Sequence, residues 1–191
     1  MNISSLVSGK ASYLYHWNSQ REKPLTEFNL ALIEGSSFHS EINQRLADSE
    51  RHELLWILPY EWKNQPFKDI TLVGHYDNIL PVSESVLCEW KLTGQQKPSE
   101  NGLLLRAKRQ IGTYASILKL KTGVVYECFA VIASKDVPAY KDDTGKILRP
   151  RIPGKLHIFK LSPEEVRDGY DFVRLTAYAV AREFDKPKEN I

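Results

Sequence analysis

Two acids and one lysine in the run ITLVGHYDNILPVSESVLCEWKL, residues 70–92, are the side chains of this chain whose types and spacing best suit chemistry. Asp77 falls in the first of two strand-like segments and Glu89 in the second, and Lys91 follows Glu89 after one residue. Turn-compatible residues separate the segments between Pro81 and Ser85. A turn centred on Ser83 sets residues equidistant from it opposite one another in an antiparallel hairpin, and Asp77 and Glu89 are such a pair. Opposed positions hold their Cβ atoms ~5 Å apart, where two like charges repel. A bound cation removes that penalty, and carboxylate oxygens are the hard ligands that Mg²⁺ prefers. The period of two along a strand puts Lys91 on the face of Glu89, with Cys88 and Trp90 on the other. Such a cation lowers the pKa of a bound water and holds nucleophile and leaving group in line, and a neighbouring lysine can hydrogen-bond that water. This chemistry is metal-assisted hydrolysis without a covalent intermediate.

The elements that must position these residues follow from periodicity. A short helix is expected around Thr26 to Ile33, in an N-terminal stretch to which the pattern gives no chemical role. Ser36 or Ser37 can cap a helix in which His39, Ile42, Asn43 and Leu46 follow helical spacing, so that His39 looks inward. The segment Glu53 to Trp62 reads as a strand bent at Pro59. After the two strands of the opening run and a polar loop, a helix is expected from Leu103 to Lys121, with Leu104, Ala107, Ile111, Ala115 and Leu118 as its apolar stripe. Gln110 and Tyr114 project together beside that stripe, and Arg106, Lys108 and Arg109 make its first half basic. Gly123 ends the helix, and Val124 to Ser134 reads as a strand buried on both faces. A hairpin or loop with a basic tip is expected between Lys135 and Pro153, then a strand from Lys155 to Leu161. A last helix opens at Ser162-Pro163-Glu164-Glu165, and its stripe Val166, Tyr170, Val173, Ala177, Val180 and Phe184 is expected to cover one side of a sheet. Helices flanking a mixed central sheet are the α/β class.

A chain of 191 residues with 42% hydrophobic residues can bury the core of a single domain. With 26 basic and 24 acidic residues the net charge is only +2, so binding to a polyanion must come from local basic clusters. Two cysteines, Cys88 and Cys128, point to a reducing compartment and exclude a self-contained four-cysteine cluster. No apolar run approaches the ~18 residues of a membrane span, and no secretory signal is evident. A soluble, cytoplasmic protein without membrane contact is expected.

Four segments together resemble the PD-(D/E)XK nuclease superfamily, in its RecB-like and CRISPR-associated-exonuclease-like branch. They are Gly35-Ser-Ser-Phe-His39, Gly74-His-Tyr-Asp77, Glu89-Trp-Lys91 and Gln110-Ile-Gly-Thr-Tyr114, in the family's order over about residues 35–134. The resemblance implies a restriction-endonuclease-like core of order αβββαβ, extended by a C-terminal strand and helix, residues 135–191, within one nuclease domain. It implies that His39, Asp77 and Glu89, with the backbone carbonyl of Trp90, ligate Mg²⁺ or Mn²⁺. It further implies that Lys91 positions the attacking water and that Gln110 and Tyr114 support the lysine and the phosphate. The iron–sulfur cysteines of many CRISPR-associated relatives have no counterpart, so no such cluster is expected.

The implied activity is a metal-dependent deoxyribonuclease, an exonuclease on single-stranded DNA or DNA ends, with Arg106, Lys108 and Arg109 and the residues between Lys141 and Arg151 contacting phosphates. Two alternatives stay open. One is a structure-specific endonuclease of the Holliday-junction-resolvase type, which would work as a two-fold homodimer. The other is a non-catalytic DNA-binding protein of the same fold.

Overall fold

A computed structural model describes residues 1–19, 52–60, 68–76, 78–79, 85–94 and 100–185. The expected helices at Thr26 to Ile33 and after Ser36 lie outside the described residues. Strands β1 (His52–Tyr60) and β2 (Lys68–Tyr76) pair antiparallel over nine residues each, and the ladder runs without a break through Pro59 opposite Asp69. Strands β3 (Asn78–Ile79), β4 (Val86–Thr93), β5 (Glu127–Ser134) and β8 (Leu156–Lys160) form a second, mixed sheet in the order β3-β4-β5-β8. Within it β4 and β5 are parallel, and the two outer strands are antiparallel to their neighbours. Parallel neighbours need a crossover, and helix α3 (Leu105–Thr122) supplies it. A wide helical turn, Glu100–Leu104, leads into α3. Gly123 closes it in the left-handed region at φ 76°, where a residue without Cβ is unstrained.

The opening run departs from the expected single hairpin. Lys68–Tyr76 pairs with β1, and of the described residues in the first half of the run only Asn78 and Ile79 pair with β4. Between Tyr76 and Asn78 the chain passes from one ladder to the other. The expected register nevertheless holds for the described pairs, because Asn78 faces Cys88 and Ile79 faces Leu87, each pair equidistant from Ser83.

One face of the mixed sheet aligns Leu87, Glu89 and Lys91 of β4 with Cys128, Ala130 and Ile132 of β5. Leu87, Cys128, Ala130 and Ile132 share a buried cluster with Ala107, Ile111, Tyr114, Ile117 and Leu118 of α3, so this face is the one that α3 covers. Burial of the Cys128 thiol, with Cys88 nearby, pushes its pKa up to about 12, which keeps it protonated. The N-terminal residues, given no role by their pattern, enter the same core. Asn2 caps helix α1 (Ile3–Leu6) by accepting from the Ser4 amide at 2.9 Å, and Ile3, Leu6 and Val7 are buried. Helix α2 (Lys10–Ser19) follows.

The hairpin expected between Lys135 and Pro153 is present as β6 (Tyr140–Lys141) and β7 (Ile147–Arg149). The last helix, α4 (Pro163–Phe184), opens with a capping box. Ser162 Oγ accepts from the Glu165 amide at 3.2 Å, and Glu165 Oε2 accepts from the Ser162 amide at 2.8 Å. Its expected stripe is buried at Val173, Ala177 and Val180, but Phe184 is 51% exposed. The partner of α4 is chiefly α3 and not a sheet face. Glycines allow the two helices to touch: a Cβ on Gly112 would lie 2.8 Å from the Val166 carbonyl oxygen, and one on Gly169 would lie 3.0 Å from that of Arg109. Thr113 Oγ1 fills the same seam by donating to the Gly169 carbonyl at 3.2 Å.

Alanine for glycine within an isolated helix stabilises by about 1 kcal/mol. Gly112→Ala should instead destabilise the protein by roughly 1–3 kcal/mol, because its methyl drives the helices apart. Chemical denaturation reads the sign directly. The Glu165 carboxyl is held below the ordinary carboxylate range first by the Lys108 hydrogen bond and then by the Ser162 amide. A lowered folded pKa gives stability that is full above the unfolded pKa and lost as pH falls through the folded one. The deficit of Glu165→Gln in unfolding midpoint should therefore be largest near neutrality and fade on acidification. An equal deficit at every pH would contradict the coupling.

Candidate active site

Glu89 is 1% exposed, on the α3-covered face of β4 and two residues before Lys91 on that face. Removing a carboxylate from water costs several kcal/mol unless an opposite charge meets it. Lys91 is that charge: its ammonium lies 2.5 Å from Glu89 Oε1, while the lysine side chain remains 21% exposed. The pair therefore has an anionic end in the core and a cationic end near water. Trp90, between them, belongs to the opposite face with Cys88, as the alternation predicts.

Asp77 and His39 lie outside the described residues, so of the implied metal-binding set Glu89 and Trp90 can be placed. Among the described residues no group of three or more His, Cys, Asp or Glu side chains comes together. The donors that can be placed, a buried carboxylate and a strand carbonyl, are hard oxygen ligands of the kind that suits Mg²⁺ or Mn²⁺.

Gln110 and Tyr114 are brought together. Gln110 Nε2 donates to Tyr114 Oη at 3.0 Å, and both side chains are buried. A contact not foreseen from the sequence links this pair to β2: a Cβ on Gly74 would stand 2.6 Å from Tyr114 Cε1 and 3.1 Å from its hydroxyl. Tyr76 adds a tilted ring contact, with centroids 6.3 Å apart. The glycine of one motif is thus the seat for the tyrosine of another, and the tyrosine fixes β2 just before the chain changes ladders. The spacings within Gly74–Asp77 and Gln110–Tyr114 carry no sign of each other, which is why sequence alone leaves them separate.

The three basic residues of α3 part company. Arg106 is exposed. Lys108 is ion-paired with Glu165 at 2.6 Å. The Arg109 guanidinium lies 3.4 Å from the centroid of the Phe172 ring and donates to the Val7 carbonyl at 3.2 Å. Burial lowers its pKa. Lys108 and Arg109 therefore join α3 to α4 and α1. With Leu104, Leu105, Phe159 and Asp168 they line a cavity of about 500 Å³ between α3, β8 and α4.

No family model and no curated protein matches the chain. Two solved structures superpose on the chain. A candidate exonuclease from Eubacterium rectale superposes with a TM-score of 0.59 at 12% identity, covering 95% of this chain and 80% of its own. The protein SSO0001 superposes at 0.48 with 17% identity, covering 92% of this chain and 75% of its own. The chain thus shares a mixed α/β fold with the first of these. No helix among the described residues is long and apolar enough to cross a membrane.

If Tyr114 occupies the space that Gly74 leaves, the two positions are coupled. Gly74→Ala should cost more than 1 kcal/mol in the wild type and much less in a Tyr114→Ala background. A double-mutant cycle on stability measures that coupling, and additive effects would refute it.

Proposed function

We propose that the chain is a divalent-metal-dependent deoxyribonuclease that hydrolyses phosphodiester bonds, acting as an exonuclease on single-stranded DNA or DNA ends. The observation that carries this reading is the buried Glu89 carboxylate paired with a partly exposed Lys91 on one face of β4. The similarity of fold to a candidate exonuclease supports the same class.

In this reading His39, Asp77, Glu89 and the Trp90 carbonyl hold Mg²⁺ or Mn²⁺. The ion, when bound, supplies Lewis acidity toward a phosphoryl oxygen. Glu89 has two tasks for its two oxygens, ligation and the hold on Lys91. Lys91, whose side chain is partly exposed, hydrogen-bonds the attacking water and orients it toward phosphorus. Tyr114, seated on Gly74 and hydrogen-bonded to Gln110, keeps the end of β2 rigid, and with it the approach to Asp77.

The test is degradation of labelled single-stranded, duplex and four-way-junction DNA with Mg²⁺, Mn²⁺ or EDTA. Glu89→Gln, which keeps the side chain's shape, and Lys91→Ala should each lower metal-dependent degradation at least 100-fold while circular dichroism stays native. Full activity in either variant overturns the proposed site. A marked preference for the junction, cut by a dimer, would favour the endonuclease reading. Absence of both cleavage and calorimetric metal binding in the wild type would favour the non-catalytic one.

A further inference from the structure

Residues 135–155 leave the sheet at the end of β5 and return into β8. The base is closed by the Ser134 amide donating to the Lys155 carbonyl at 2.8 Å and by the Lys155 amide donating to Ser134 Oγ at 2.8 Å. Val137 and Ile152 exchange two backbone hydrogen bonds of 2.9 Å above it, and β6 and β7 continue the ribbon. Asp142 Oδ1 builds the tip by accepting from the Thr144 and Lys146 amides, each at 2.9 Å. Tyr140, Ile147 and Leu148 are 60%, 57% and 56% exposed, so none of them serves the core.

The charge of this arm is one-sided. It has six basic residues against three acidic ones, a net +3 in a chain whose total is +2. Two of its acids are spent on the arm's own structure, Asp142 at the tip and Asp136 in an ion pair with Arg151. Lys141, Lys146, Arg149 and Lys155 make no ion pair among the described residues. Tyr140 stands directly across the ladder from Arg149, so ring and guanidinium share one face. Pro138, Pro150 and Pro153 blunt the ribbon's edges against pairing with a further strand.

The position of the arm links it to the candidate site. Strands β4 and β5 are parallel, with Lys91 level with Ile132 and Thr93 level with Ser134. The Lys135 amide donates to the Thr93 carbonyl at 2.9 Å. The arm therefore springs from the neighbouring strand only two residues, ~7 Å, beyond Lys91.

We infer that this arm is the binding element for single-stranded DNA, with Lys141, Lys146 and Arg149 meeting phosphates and Tyr140 stacking on an unpaired base beside Arg149. The inference rests on the deoxyribonuclease reading and adds to it the element that selects the substrate. Phosphates meet flexible cations without sequence preference. A base face is open to an exposed aromatic ring only when the base is unpaired, which separates a single strand from a duplex.

The test is fluorescence anisotropy of the full chain with labelled single-stranded and blunt duplex DNA in EDTA, across a salt series. Metal-dependent cleavage by the wild type is scored separately. The Lys141→Ala, Lys146→Ala, Arg149→Ala triple variant should bind the single strand at least tenfold more weakly, and its slope of log affinity against log salt should fall by about 2. Tyr140→Ala should weaken single-strand binding about tenfold with little effect on the duplex, and Tyr140→Phe should restore it. Wild-type affinity and slope in the triple variant overturn the arm's role. An equal loss on both DNAs in Tyr140→Ala overturns the stacking and points to a duplex clamp, and no DNA binding by the wild type overturns the whole inference. If the arm variants lose binding as expected but the wild type never cleaves, the deoxyribonuclease reading fails while the binding element stands.

Discussion

A carboxylate buried in an otherwise apolar layer is the constraint around which this molecule is arranged. Glu89 lies on the face of β4 that also carries Leu87 and aligns with Ala130 and Ile132, all packed under α3. Nothing apolar can offset the desolvation of that charge, so a cation must reach it from the solvent edge, and the two-residue period of the strand sets Lys91 where it can. The pair also requires a strand end open to water on one side and a helix sealing the other. Helix α3 meets the second condition because the parallel pairing of β4 and β5 obliges the chain to cross over between them.

The helix is itself held from both flanks by absent side chains. Gly74 on β2 makes room for Tyr114, and Gly112 on α3 makes room for the backbone of α4. Around the second contact, Lys108 with Glu165 and Arg109 with Phe172 replace solvent by charge pairing and by stacking. Lys108 and Arg109 thus serve the joint between helices, whereas Arg106 and the β6–β7 arm are exposed.

What was legible in the sequence follows from what periodicity can encode. The α3 stripe Leu104, Ala107, Ile111, Ala115 and Leu118 is buried throughout, Gly123 caps the helix, and the Ser162 box opens α4, because each is a local pattern with a local cause. The register of β3 on β4 was likewise readable from a turn centre. Partner choice was not. The stripe of α4 says which side is buried but not against what, and Gly112 and Gly169, which decide the matter, contribute nothing to a hydrophobic period. Phe184 continues the α4 stripe past the end of its partner and is left exposed. The transfer of the chain from β1 to β4 between Tyr76 and Asn78 is a tertiary event, since the same alternation suits either ladder. Ile3, Leu6 and Val7 were illegible for the opposite reason, being too short a run to show any period.

The closure at Ser134 and Lys155 has a wider meaning for how such a fold diversifies. Because the ladder between β5 and β8 is complete below those residues, the intervening ribbon is a cassette whose length does not enter the packing of the sheet or of α3. The entropy of closing a surface loop grows only with the logarithm of its length. Segments of very different size and charge could therefore be exchanged at this one point while Glu89 and Lys91 stay where they are, which would let substrate choice evolve independently of the chemistry.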